Sequence, residues 1–211
     1  QSVADALHLK FSRIQFTPDL MPSDITGTEV IEEDMGTGHR AFRFVKGPVF
    51  AQIILADEIN RATPKTQASL LEAMEERQVT VDGVTHILPR PFMVLATQNP
   101  IEHEGTFPLP EAQLDRFMLR LRLGYPSQAD EIRVLGDQQL QHPLETLLSV
   151  VGVEEVLQVM GEVKQVFLSQ AIKRYIVELT SRTRQSDDVY LGASPRGSIF
   201  LARAGQARAA L

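Results

Sequence analysis

The stretch "VFAQIILADE" runs apolar from Val49 to Ala56, broken only by Gln52, and stops at two adjacent carboxylates, Asp57 and Glu58. A continuous apolar run of strand length, as opposed to an alternating one, predicts a strand covered on both faces, as inside a parallel sheet. Parallel strands need crossovers, and a helix is well marked next. Thr63 stands at a capping position and Pro64 at the first helical one. Leu70, Leu71 and Met74 recur at helical spacing, while Glu72, Glu75 and Glu76 fall on the other face.

The flanking segments repeat the theme. "SVADALHL" places Val3, Ala6 and Leu7 on one helical face, "FSRIQF" reads as a short strand, and "TPDLMPSDITG" is turn-rich. "TEVIEEDMGTGHRAFRFV" has two extended arms around Gly36-Thr37-Gly38 and predicts a hairpin. "QVTVDGVTHIL" predicts another, because Asp82-Gly83 accepts the positive φ angles of a type I′ turn. "PFMVLATQNP" is a further apolar strand ending at Asn99. A short helix is expected from Pro110, and "MLRLRL" alternates like a strand with one polar side. Strands alternating with helices imply an α/β domain with a mostly parallel sheet.

Beyond Gly124-Tyr125-Pro126 the strand signals stop. Ser127, with an acid three residues on, caps one helix, and helical patterns follow at about 153–167, 169–186 and 194–210. The expected organisation is an α/β core over residues 1–125 and an all-helical domain over 126–211.

Composition narrows the function. No cysteine is present among the 211 residues, which excludes disulfides and thiolate metal sites and is compatible with the cytoplasm. The five histidines lie at no metal-ligand spacing, and the longest apolar runs fall well short of a membrane span. A formal net charge of −6 disfavours a broad nucleic-acid-binding surface. The basic stretch "KRYIVELTSRTR" reads either as a local basic patch or as one solvated helix face.

Asp57 and Glu58 stand where ligands bind in open α/β sheets, at the carboxyl end of a parallel strand. One carboxylate there can hold magnesium through its water shell, and the other can orient or deprotonate a water attacking a phosphate. A solvated Asp-Glu turn is the alternative. Asn99, ending the next strand, would lie beside them, where its amide could place a water or touch a terminal phosphate; it could equally form a turn before Pro100. Arg116 follows a short helix and Arg196 lies in the first turn of the helix beginning "SPRG". Their planar guanidinium forks suit phosphate oxygens. The alternatives are an ion pair of Arg116 with Asp115 and a solvated Arg196.

Four blocks, "FSRIQFTPDLMPSDITGTEV", "FRFVKGPVFAQIILADEINRATPKTQASLLEAMEERQVTVDG", "VLATQNPIEHEGTFPLPEAQLDRFMLR" and "LGASPRGSIFLARA", resemble AAA+ ATPases of the MoxR family. The resemblance implies a P-loop NTPase core with β-hairpin inserts and a C-terminal helical lid. It makes Asp57 the Walker B magnesium ligand, Glu58 the catalytic carboxylate and Asn99 sensor 1. It makes Arg116 an arginine finger reaching the neighbouring subunit's nucleotide, and Arg196 sensor 2 of the lid. ATP and Mg²⁺ are the implied cofactors, and a homo-oligomer, in this family a hexameric ring, is the implied assembly. Chaperone-like remodelling or maturation of partner proteins is the implied output. Such partners often carry a von Willebrand factor A domain, and metal-cofactor insertion is included. A nucleic-acid motor and a non-catalytic binding module are the rival readings. One departure is large: no GxxxxGK[ST] occurs in the 211 residues, and the strand that precedes it in the family is absent too. The expectation is therefore that the chain is part of a longer protein, and that a sheet without that strand leaves edges unpaired and a core face uncovered.

Overall fold

The computed structural model describes residues 1–33, 40–99, 105–137, 144 and 147–211. The chain divides into two compact units, Gln1–Leu109 with Asp137–Val153, and Pro110–Gly136 with Glu154–Leu211. The boundary expected at Tyr125 falls inside the second unit.

In the first unit, helix α1 (Ser2–Ala6) precedes strand β1 (Phe11–Gln15), helix α2 (Pro22–Thr26) and the antiparallel strands β2 (Gly27–Glu33) and β3 (Arg40–Lys46). Strand β4 (Ile53–Asp57), a 3-10 turn (Ile59–Arg61) and helix α3 (Pro64–Glu76) follow, then the β5 (Gln78–Val81) and β6 (Val84–Ile87) hairpin and strand β7 (Met93–Ala96). The main sheet has the order β1-β4-β7 and is wholly parallel. β4 lies in its middle, with Ile53, Ile54 and Ala56 buried, which is why its sequence is apolar without alternation. With Ile54 of β4, Phe16, Ile25, Val49, Ile59, Leu70 and Leu71 are the largest fully buried apolar side chains of the unit.

Three local expectations changed. "TPDLMPSDITG" is not only turn: Pro22 starts α2, and Asp24 accepts the Met21 N–H at 2.8 Å, closing the helix entry. β4 begins at Ile53, not at Val49, because Phe50 N–H bonds back to Gly47 and residues 49–51 are buried in a turn. Thr63 occupies the N-cap of α3, but its hydroxyl meets the Thr66 hydroxyl at 3.2 Å and caps no backbone N–H. The Asp82-Gly83 turn has the expected positive φ at both residues, 48° and 82°. The turn expected around Gly36–Gly38 lies outside the described residues.

The strand expected in "MLRLRL" is a correction. Residues 118–126 pair with no strand among the described residues, and Leu119, Leu121 and Leu123 are 66%, 78% and 98% exposed. Alternation selects which face of a strand is buried, but without a neighbouring strand the backbone has nothing to pair with. β7 is an edge of its sheet, with Met93 and Leu95 each 44% exposed.

The second unit holds α4 (Glu111–Leu114), α5 (Gln128–Asp137), α6 (Val153–Gln165), α7 (Gln170–Thr183) and α8 (Pro195–Ala210), the last residue of α5 and the first of α6 belonging to the first unit. Ser127, Ser169 and Ser194 cap α5, α7 and α8 through their hydroxyls, as the sequence suggests for Ser127. Buried Thr180 meets Ser198 Oγ at 2.9 Å, joining α7 to α8, and Gln206 Nε2 donates to Val166 O at 2.7 Å, joining α8 to the end of α6.

Candidate active site

The site is built on the carboxyl ends of three neighbouring strands. The β1–β4 register sets Gln15 opposite Asp57, and the β4–β7 register sets Ala56 opposite Ala96, so Thr97 follows immediately beside Asp57. Asp57 and Glu58 therefore share one edge with Arg13, Gln15 and Thr97, and Asn99 stands two residues past Thr97.

Each carboxylate is matched by its own partners. Arg13 forms an ion pair with Asp57 through Nη2, and its Nε donates to the same oxygen at 3.1 Å. Thr97 Oγ1 donates to Asp57 Oδ1 at 2.5 Å. The Thr97 hydroxyl first and the Arg13 guanidinium second hold the Asp57 carboxyl below the usual carboxylate range, against a smaller opposing effect of burial. Glu58 Oε2 accepts from Gln15 Nε2 at 3.0 Å and from Arg61 Nη1 at 3.2 Å. Two negative charges at a strand end thus face two guanidiniums, which makes the pair tolerable without a bound cation.

The backbone turns sharply here. Glu58 has φ 55° and ψ 48°, left-handed values that are unfavourable for a residue with a Cβ by about 1–2 kcal/mol. Hydrogen bonds hold it: Glu58 N–H to Thr97 Oγ1 at 2.9 Å and Ile59 N–H to Thr97 O at 3.0 Å. From below, the fully buried Gln67 of α3 lies with Nε2 within hydrogen-bonding distance of Ile59 O (3.2 Å), Ala62 O (3.1 Å) and Phe107 O (2.8 Å). Gln67→Leu fills similar space without the donor and strands those carbonyls. It is expected to lower unfolding stability by about 2 kcal/mol, read as a shifted urea midpoint with an unchanged slope.

Arg116 and Arg196 belong to the second unit, so the structure groups Asp57, Glu58 and Asn99 in one unit and the two arginines in the other. Asp115, next to Arg116 in sequence, accepts the Ser194 hydroxyl at 2.7–2.8 Å and lies 3.9 Å from Arg196 Nη1. The same unit has a cleft of about 300 Å³ lined mainly by Phe117, Met118, Leu119, Phe200 and Leu201. Its polar side chains, Asp115 and Thr180, are already bonded to Ser194 and Ser198, so it offers no site for a phosphate.

Sequence reasoning missed Arg13, Gln15, Thr97, Arg61 and Gln67. The signal for the first two was present in "SRIQ": two polar residues at period two on a strand expected beside the Asp57 edge share one face. Thr97 lay in the quoted "ATQNP", two residues before Asn99, the residue singled out.

Among the described residues no cluster of three or more His, Asp or Glu could cage a metal. One partly exposed carboxylate beside a second fits magnesium, which keeps most of its water and takes one or two protein carboxylates plus substrate phosphates.

A parallel sheet whose middle strand ends in paired carboxylates, with a polar strand end beside it, is an α/β core with its polar groups at the edge where such sheets bind ligands. Comparison with known proteins agrees. The family described as "ATPase family associated with various cellular activities (AAA)" matches residues 1–119, and the AAA lid domain matches residues 181–211. The chain belongs to the AAA ATPase family. Within it, the chain is a MoxR-family AAA+ ATPase. It is 52% identical over 211 residues to the uncharacterized protein YeaC of Bacillus subtilis, covering all of this chain and 65% of that one. It is 41% identical over 208 residues to the chaperone MoxR1 of Mycobacterium tuberculosis, covering 94% of this chain and 54% of that one. A crystal structure of a candidate ATPase from Cytophaga hutchinsonii superposes with a TM-score of 0.88 at 41% identity, over 99% of this chain and 64% of that one. The chain thus spans between about half and two thirds of the length of these relatives.

Proposed function

We propose that the full-length protein hydrolyses ATP and uses the cycle to remodel or mature partner proteins in the manner of a chaperone. The observation that carries this reading is the Asp57–Glu58 pair at the carboxyl end of the central strand, with Thr97 and Asn99 at the end of the strand beside it. Family membership and similarity to a protein named as a chaperone support it.

In this reading Asp57 holds Mg²⁺ through its water shell. Glu58 takes the proton of the attacking water, and the Asn99 amide orients that water. Arg116, offered by a neighbouring subunit, and Arg196, from the lid over residues 126–211, stabilise the charge on the transferring phosphoryl group. Bound with ATP, Mg²⁺ neutralises charge developing on the phosphate oxygens. Such an arginine makes assembly a condition of turnover, which supports a homo-oligomeric ring, hexameric by family analogy. A partner with a von Willebrand factor A domain, metal-cofactor insertion as one form of maturation, and a cytoplasmic setting belong to the same reading. No helix of the described residues is long and apolar enough to cross a membrane.

The nucleic-acid motor has little support. Within "KRYIVELTSRTR", Arg182 pairs with Glu178 at 2.7 Å and Arg184 Nε donates to Ala193 O at 2.6 Å, so two of its cations serve the helical unit. Phosphate binding relies on available Lys and Arg. Magnesium-dependent phosphate release by the full-length protein, unchanged by added DNA, is the expected result. Salt-sensitive stimulation by DNA would favour the motor.

A further inference from the structure

Thr97 lies at the centre of the Asp57–Glu58 turn and has no part in the chemistry set out above. Its N–H donates to Ala56 O at 2.9 Å and its carbonyl accepts from Ile59 N–H at 3.0 Å. Its Oγ1 accepts from Glu58 N–H at 2.9 Å and donates to Asp57 Oδ1 at 2.5 Å. One residue at the end of β7 therefore bonds to four consecutive residues at the end of β4 and beyond it.

The hydroxyl bonds are directional. A hydroxyl has one proton and two lone pairs. Here the proton goes to the ionised Asp57 carboxylate and a lone pair takes the Glu58 amide, so neither bond can reverse while Asp57 is charged. Thr97 is β-branched, which restricts χ1 and holds Oγ1 at this position. Glu58 needs such a hold, because its left-handed backbone is unfavourable for a residue with a Cβ. Asp57 needs it too, because its other oxygen is taken by Arg13, on a different strand.

We propose that Thr97 is a positioning residue: its hydroxyl locks the Asp57 rotamer and the Glu58 backbone to one another, fixing the relation between the metal-holding and the water-activating carboxylates. The inference rests on the roles given above to Asp57 and Glu58. It assigns Thr97 no contact with nucleotide or water, and it explains why a threonine stands there in place of the valine or isoleucine a strand end would equally accommodate.

Thr97→Val and Thr97→Ser in the full-length protein test it. Valine keeps the shape and removes both hydroxyl bonds; serine keeps the hydroxyl. Thr97→Val is expected to lower kcat at least about tenfold while KM for ATP moves by less than about threefold, as for loss of a hydrogen bond to a charged group. Thr97→Ser should recover to within about threefold of wild type. Amide hydrogen exchange gives a readout independent of turnover. The Glu58 amide should be protected in wild type and in Thr97→Ser and should exchange faster in Thr97→Val. A Thr97→Val protein with wild-type kcat overturns the proposal, as does a Thr97→Ser protein as impaired as the valine variant. If valine prevents folding, an unprotected Glu58 amide in folded wild type overturns it just as well. A failure of the underlying site looks different: there Glu58→Gln would hydrolyse ATP undiminished, whereas this inference alone fails when Glu58→Gln is inactive and Thr97→Val is not.

Discussion

Glu58→Gln in the full-length protein is expected to bind ATP about as tightly as wild type and to lose turnover by about 10²- to 10⁴-fold, the range over which a positioned general base contributes. The substitution is close to isosteric. Gln15 Nε2 and Arg61 Nη1, which donate to Glu58 Oε2 at 3.0 and 3.2 Å, can still meet an amide oxygen, so the turn and its left-handed backbone should survive. What disappears is the ability to take a proton from water. Nucleotide titration by fluorescence and phosphate release measured on the same preparation separate the two effects. Undiminished hydrolysis would remove Glu58 from the chemistry altogether.

Arg116→Ala is expected to lower turnover by about 10³-fold or more, the range for a cationic finger acting on a transferring phosphoryl group. Arg116 belongs to the second unit, whereas Asp57 and Glu58 belong to the first. If delivery is between subunits, mixing inactive Arg116→Ala with inactive Glu58→Gln restores activity. A site works when its own subunit has Glu58 and its neighbour has Arg116; with equal random mixing in a symmetric ring that is about one quarter of sites. Absence of any recovery, with mixed oligomers shown to form, would place Arg116 in its own subunit's site.

Much of this architecture was legible because local signals agreed. The Pro64 start of α3, the Asp82-Gly83 turn and the Ser127 cap are short-range patterns, and each appears where expected. Long-range dependence set the limit. "MLRLRL" alternates correctly, yet a strand exists only beside another strand, and no window of sequence states whether that neighbour is present. The site followed the same division. Asp57, Glu58 and Asn99 could be placed from strand ends, but the Arg13, Gln15 and Thr97 bonds depend on register between strands about 40 residues apart.

The opposition of charges changes how the site should be understood. In the sequence, the paired carboxylates at a strand end suggest a magnesium site. In the structure Arg13 and Arg61 already pair with them, one for each carboxylate. Binding of a divalent ion near Asp57 therefore competes with the Arg13 ion pair, and Arg13 is the residue whose environment should change most when magnesium and nucleotide arrive.

A structure of the full-length Glu58→Gln protein with ATP and Mg²⁺ tests the central claim most directly. The metal and the terminal phosphate should lie at the carboxyl ends of β4 and β7, with Asp57 facing the metal's water shell and residue 58 facing the terminal phosphate. Nucleotide bound away from that edge, with the Arg13–Asp57 pair undisturbed, would contradict it.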